Sequence, residues 1–191
     1  MSQTGVDKRG KPLQGLKHGR VTELTMIYQV KPGHEKAIRE GIKAFLASDD
    51  RGAESKIAQI GIHELRIVLF DNDTRFQWLT TFDTDWDPYI DDTIDLMTTQ
   101  LYGLVFKHVT GFPDDMDTKA LPNAYSTVKD LFNANRITAA GFLTIFPDLT
   151  LRQYRKQQRL QKAFEAVLDD PEGAKALQHP ALKPLLELAA D

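Results

Sequence analysis

The chain has 191 residues, 41% hydrophobic and 27% charged, with a formal net charge of −3 and no cysteine. Thiol catalysis, disulfides and thiolate-held metals are thereby excluded, and so near-neutral a balance gives nucleic acid no global attraction. No apolar run approaches the ~20 residues a bilayer requires, so a spanning role is excluded and the cytoplasm is the expected compartment.

Residues 1–20 are polar and basic (Lys8, Arg9, Lys11, Lys17, Arg20), lack the apolar stretch of a secretory signal, and read as a flexible arm before one domain over 21–191. From Val21 to Val30 the residues alternate, with Leu24, Met26, Tyr28 and Val30 on one side, as in a half-buried strand. Pro32-Gly33 breaks it, and Ile38, Ile42, Phe45 and Leu46 recur at helical spacing until the polar stretch Ser48–Gly52. Ile62–Phe70 and Phe76–Phe82 read as strands joined through Asp71-Asn72-Asp73, which is turn chemistry.

Asp87-Pro88 signals a helix start, with the aspartate capping and the proline at the first helical position. The apolar stripe Ile90, Ile94, Met97, Leu101 and Val105 continues to His108 before Gly111 and Pro113 stop it. Residues 113–136 are rich in Pro, Asp, Asn and Thr and predict a long loop, carrying at most a short helix, with Tyr125, Val128, Leu131 and Phe132 as anchors. Gly141–Phe146 (GFLTIF) predicts a buried fourth strand, and Thr150 with Gln153 a capping box for a helix to about Leu168. A short apolar tail, Ala181–Ala190, ends the chain. The composite β-α-β-β-α-β order is the ferredoxin-like α+β arrangement, a four-stranded antiparallel sheet with helices on one face and added C-terminal helices. Its other face then needs a cover, either a second copy of the chain or those C-terminal helices.

The segment from Ile62 to Asp92, with His63 and Arg66 on the second strand, Phe82-Asp83 ending the third, and Asp85-Trp86, Tyr89 and Asp91-Asp92 opening the helix, resembles the dimeric α+β barrel superfamily. The resemblance covers about residues 21–147 and extends to segments associated with haem peroxidase-type proteins; Glu64 and Leu65 depart from its pattern. It implies a homodimer with a pocket between sheet and helices, and haem-associated peroxidase-like chemistry or cofactor-free oxygenation of an aromatic substrate. A non-catalytic module that docks a protein partner is the alternative from a different class.

Three residues are candidates for the chemistry. His108, ending the apolar stripe, is placed to ligate haem iron, or simply to meet free carbonyls at the helix end. Arg66 suits a haem propionate or a polarised peroxide, or else a salt bridge to Glu64 or a neighbouring strand. His63 lies three residues from Arg66, hence on the opposite face of a regular strand, so the two are not expected in one pocket. Asp83, Asp85 and Asp87 imitate a calcium loop, but Pro88 and Ile94 occupy the positions where such a loop needs glycine and glutamate. Phe76, Trp78 and Phe82 form an aromatic strand face suited to a core or a dimer interface. The run Arg152, Arg155, Lys156, Arg159 and Lys162 reads as a solvated helix face, with nucleic acid not expected as a partner. Walker, G-x-G-x-x-G, H-E-x-x-H and G-x-S-x-G motifs are absent.

Overall fold

A computed structural model describes residues 15–48, 55–114 and 121–189. The first 14 residues of the expected arm and most of the polar stretch after the first helix lie outside the described residues. The chain divides into two compact units, Met1–Leu151 and Arg152–Asp191.

The first unit is an antiparallel sheet with helices packed on one face. In chain order it holds β1 (Lys17–His18), β2 (Val21–Gln29), α1 (Glu35–Ser48), α2 (Lys56–Gln59), β3 (Ile62–Phe70), β4 (Arg75–Phe82), α3 (Trp86–Leu104), a 3-10 turn (Phe106–His108), α4 (Leu121–Ala134) and β5 (Arg136–Ile137). β2 pairs with β4 from Thr22 to Gln29, β4 pairs with β3, and β5 pairs with the other edge of β2 at Thr25 and Met26. The order β5-β2-β4-β3 is that of a ferredoxin-like α+β sheet. Lys17 and His18, at the end of the expected arm, turn at Gly19 (φ 61°) and share that outer edge of β2.

The strand pleat sorts the side chains as the alternation predicts. Leu24, Met26 and Tyr28 of β2 and Phe76, Trp78 and Phe82 of β4 lie in the core with Ile38 and Phe45 of α1 and Ile90, Ile94 and Leu101 of α3. Phe82 stacks on Tyr89 with ring centroids 3.8 Å apart, and Trp78 meets Phe106 at 5.9 Å. The aromatic strand face is therefore core. The β3–β4 turn runs Asp71, Asn72 and Asp73 through left-handed backbone (φ 52°, 57° and 65°), a region that Asn and Asp tolerate better than other non-glycine residues.

Three expectations are corrected. Residues 121–134 form a full helix, because Val128, Leu131 and Phe132 are spaced i, i+3, i+4 and dock on the core; the Tyr125 and Met97 side chains lie outside the described residues. Helix α3 starts at Trp86, with Asp85 in extended conformation at its N-cap position (ψ 166°), so that Asp87 sits in its first turn. There Asp87 and Asp91 each meet Lys129 of α4 at 3.0 Å, tying the two helices together. The fourth strand is the two-residue β5, and Gly141–Phe146 is not a strand. Part of the edge of β2 that would receive it is taken by β1 and β5, and Leu143, Ile145 and Phe146 stand 74%, 78% and 62% exposed.

The second unit is helical. It continues α5 (Leu151–Asp169) and holds α6 (Pro171–Ala176), a 3-10 turn (Pro180–Leu182) and α7 (Lys183–Ala189). Asp170 caps α6, its carboxylate accepting from the Glu172 amide at 3.0 Å with Pro171 at the first helical position.

Candidate functional site

The cross-strand register defines the face of the sheet turned away from the core. Thr25, Leu79 and Arg66 form one row across β2, β4 and β3, and Glu23, Thr81 and Glu64 form the next. These six residues floor a cavity of about 300 Å³, with Ala139, Gly141 and Phe142 among its other lining residues. The volume is at the small end of the range of ligand sites.

The cavity is chemically asymmetric. The Glu23 carboxylate is already engaged, accepting from the Leu16 amide and the Thr25 hydroxyl, each at 3.1 Å. The exposed side chains of Glu64 and Arg66, two residues apart on one strand and so roughly 7 Å apart along it, have no ion-pair partner among the described residues. Leu79 supplies an apolar centre and Thr81 a hydroxyl; Thr80, on the opposite face, spends its hydroxyl on the Glu64 carbonyl at 2.9 Å. A β-bulge between Ile62 and Glu64 shifts the register, and the residue it sets out of the ladder is His63.

His63 is thus not in this cavity. Its Nε2 meets the Asp83 carboxylate, and the other Asp83 oxygen accepts from the Leu151 amide at 2.8 Å. His108 sits at the opposite end of the sheet, beyond the end of β2, where Lys31 donates its backbone amide to the His108 carbonyl at 2.9 Å. Its Nδ1 faces Nδ1 of His34 at 3.0 Å, an approach in which one ring donates and the other accepts. Burial, then the charges of Lys107, His34 and Lys31, lower the His108 pKa. Lys31 reaches three oxygens here, the Lys107 and Phe112 carbonyls at 2.8 and 2.7 Å and Asp114 at 2.7 Å. The three predicted candidates therefore stand apart, with Arg66 in the cavity and the two histidines near opposite sheet ends. Among the described residues no group of three or more His, Asp and Glu side chains is arranged to hold a metal ion.

The sequence reading missed Glu23, Thr25, Thr81 and Phe142, because it sought a pocket between sheet and helices. That space is filled: Tyr28 and Tyr89 are fully buried there, and burial lifts the Tyr28 phenol well above its usual range and pushes Tyr89 up to about 12 against the opposing hydrogen bonds of Thr93, Trp78 and Thr80. The legible signal was the register itself, since at one end of the sheet the residues opposite the core positions, Glu23, Thr25, Glu64, Arg66 and Thr81, are polar.

No family model and no curated protein match the sequence. Among solved structures, the chain is similar to one from Bordetella bronchiseptica described as a candidate antibiotic biosynthesis monooxygenase. The identity is 17% and the TM-score 0.37, over 48% of this chain and 87% of that one. A likeness this distant carries no argument about activity. No described helix is long and apolar enough to cross a membrane.

Proposed function

We propose that the protein binds a small zwitterionic organic molecule in the sheet-face cavity, its carboxylate on Arg66 and its ammonium on Glu64. The observation that carries this reading is a pair of opposite, unpartnered charges side by side on the floor of one cavity. A simple anion would meet Arg66 but also two carboxylates, and a simple cation would leave the guanidinium unanswered; a ligand with both charges answers both. Leu79 and Phe142 provide the apolar contact that lets a 300 Å³ site hold an amino-acid-sized ligand.

The same face supports a homodimer. Ile27, Val68, Phe70 and Leu79 are only partly buried on it, an apolar surface that a second sheet would cover while roofing the cavity. About 800 Å² per partner is the usual size of such an interface. The haem and cofactor-free oxygenase readings rest on the family resemblance. His108, the ligand the haem reading would use, lies away from the cavity with Nδ1 against His34, so the geometry favours the zwitterion over haem.

The test is a thermal-shift and calorimetric screen of amino acids, monocarboxylates and primary amines. A zwitterion at a hundred times its Kd adds about 2.7 kcal/mol of stability, a rise of several degrees in Tm, and Arg66→Gln and Glu64→Gln should each abolish it. A panel that shifts nothing, or a shift that both variants retain, overturns the assignment. Titration with haem separates the alternative: a Soret shift lost in His108→Ala would favour it.

A further inference from the structure

Helix α5 buries none of its residues, so its side chains are open to solvent along nearly its whole length. Its first part carries Arg152, Arg155, Lys156, Arg159 and Lys162 and no acidic residue among them. At 100° per residue these five cations fall within an arc of about 120°, a single stripe roughly 15 Å long. Arg152, Lys156, Arg159 and Lys162 have no ion-pair partner among the described residues.

This arrangement works against the helix that carries it. The cations repel one another at i, i+3 and i, i+4, and they crowd the helix end where the backbone dipole is already positive. The first turn has no acidic residue, and Glu165 and Asp169 lie at the other end, where negative charge is also unfavourable. A polyanion laid along the stripe would relieve the repulsions that involve the cations.

The geometry points to the phosphodiester backbone of a nucleic-acid duplex as that polyanion. The net charge of −3 gives no global attraction, but association needs only a local stripe whose cations release condensed counterions. An exposed single helix has the width of a duplex major groove. An anionic membrane fits less well. Over the length of the stripe the opposite side of the helix is mainly Gln153, Gln157 and Gln161, and the apolar Phe164, Val167 and Leu168 follow only beyond it, so the cations have no continuous apolar face behind them to enter the lipid. The inference stands on α5 alone and is independent of the sheet-face cavity.

Fluorescence anisotropy of labelled 20-base-pair DNA and RNA duplexes against the full-length protein tests it, with anionic phosphatidylglycerol vesicles in a parallel sedimentation arm. Binding is expected in 50 mM salt, with a slope of log K against log salt of about −3 to −4 and hence an affinity roughly 100-fold weaker at 200 mM. The triple variant Arg152→Gln/Lys156→Gln/Arg159→Gln should weaken binding at least tenfold and flatten the slope by about 2 to 3, with helical circular dichroism retained. Absence of binding to both duplexes at 50 mM salt overturns the proposal, as does a triple variant that binds equally well. Sedimentation with vesicles without duplex binding overturns it in favour of a lipid surface.

Discussion

Trp78 and Leu79 are neighbours on β4 whose side chains point to opposite faces, and truncating each in turn tests the assignment of those faces. Trp78 is 1% exposed, set among Phe45, Phe76 and Phe106 with ring centroids 6.3, 6.5 and 5.9 Å away. Trp78→Ala removes that contact area and leaves a cavity that a sheet held by β2 and β3 on either side cannot collapse into, so the cost is about 4 kcal/mol, within the 3–5 kcal/mol range for such truncations. Against a total stability of about 5–15 kcal/mol this is a large fraction, and it lowers Tm by roughly 10 °C for a chain of this size. Leu79→Ala, on the open face, should cost under about 1 kcal/mol at concentrations where the protein is monomeric. Urea denaturation followed by circular dichroism at low micromolar concentration measures both. Equal costs for the two variants, or a loss under about 1 kcal/mol for Trp78→Ala, would refute the placement of the core.

The helix packing gives a second contrast. A Cβ on Gly41 of α1 would run into the Leu104 carbonyl of α3, whereas one on Gly103 meets nothing within 4 Å. Gly41→Ala should therefore destabilise by about 1–3 kcal/mol and Gly103→Ala stabilise by about 0.5–1 kcal/mol in thermal melts, and the same sign for both would sink the reasoning. The lowered pKa of His108 means that the unfolded chain, with its ordinary histidine near 6.5, takes up the proton more readily than the folded one. Its contribution is complete above that pH and is lost as the pH falls towards the lower folded value, so urea midpoints measured from pH 7 to 5 should fall less steeply in His108→Gln than in wild type. For the homodimer, Phe70→Glu should leave a folded monomer by sedimentation velocity, because it places a charge on the open face rather than in the core; a wild-type protein that stays monomeric well above the low micromolar range would contradict the dimer.

The sequence by itself determined the elements whose side-chain period is strong. β2 announces itself by alternation, β3 and β4 by β-branched and aromatic content on either side of a turn, and α1 and α3 by an apolar stripe, because one face of each must leave water wherever it is packed. It also placed the Asp71–Asp73 turn, where residue type limits backbone conformation locally. It failed at α4, whose Pro, Asn and Thr suggest a loop until Val128, Leu131 and Phe132 find a core to dock on. It failed likewise at Gly141–Phe146, whose strand-like composition goes unused because the edge of β2 is partly occupied. The candidate site was half legible: Arg66 stood out as a charge on a strand, yet its neighbours come from β2, β4 and the segment after β5, up to about 76 residues away in the chain. Only the pairing register brings Thr25, Leu79 and Arg66 into one row, since a shift by one residue would turn each strand's set to the other face. His108 shows the same division: its place at the end of an apolar stripe follows from local spacing, whereas its meeting with His34 across 74 residues is decided by the way β2 and α1 fold back beside it.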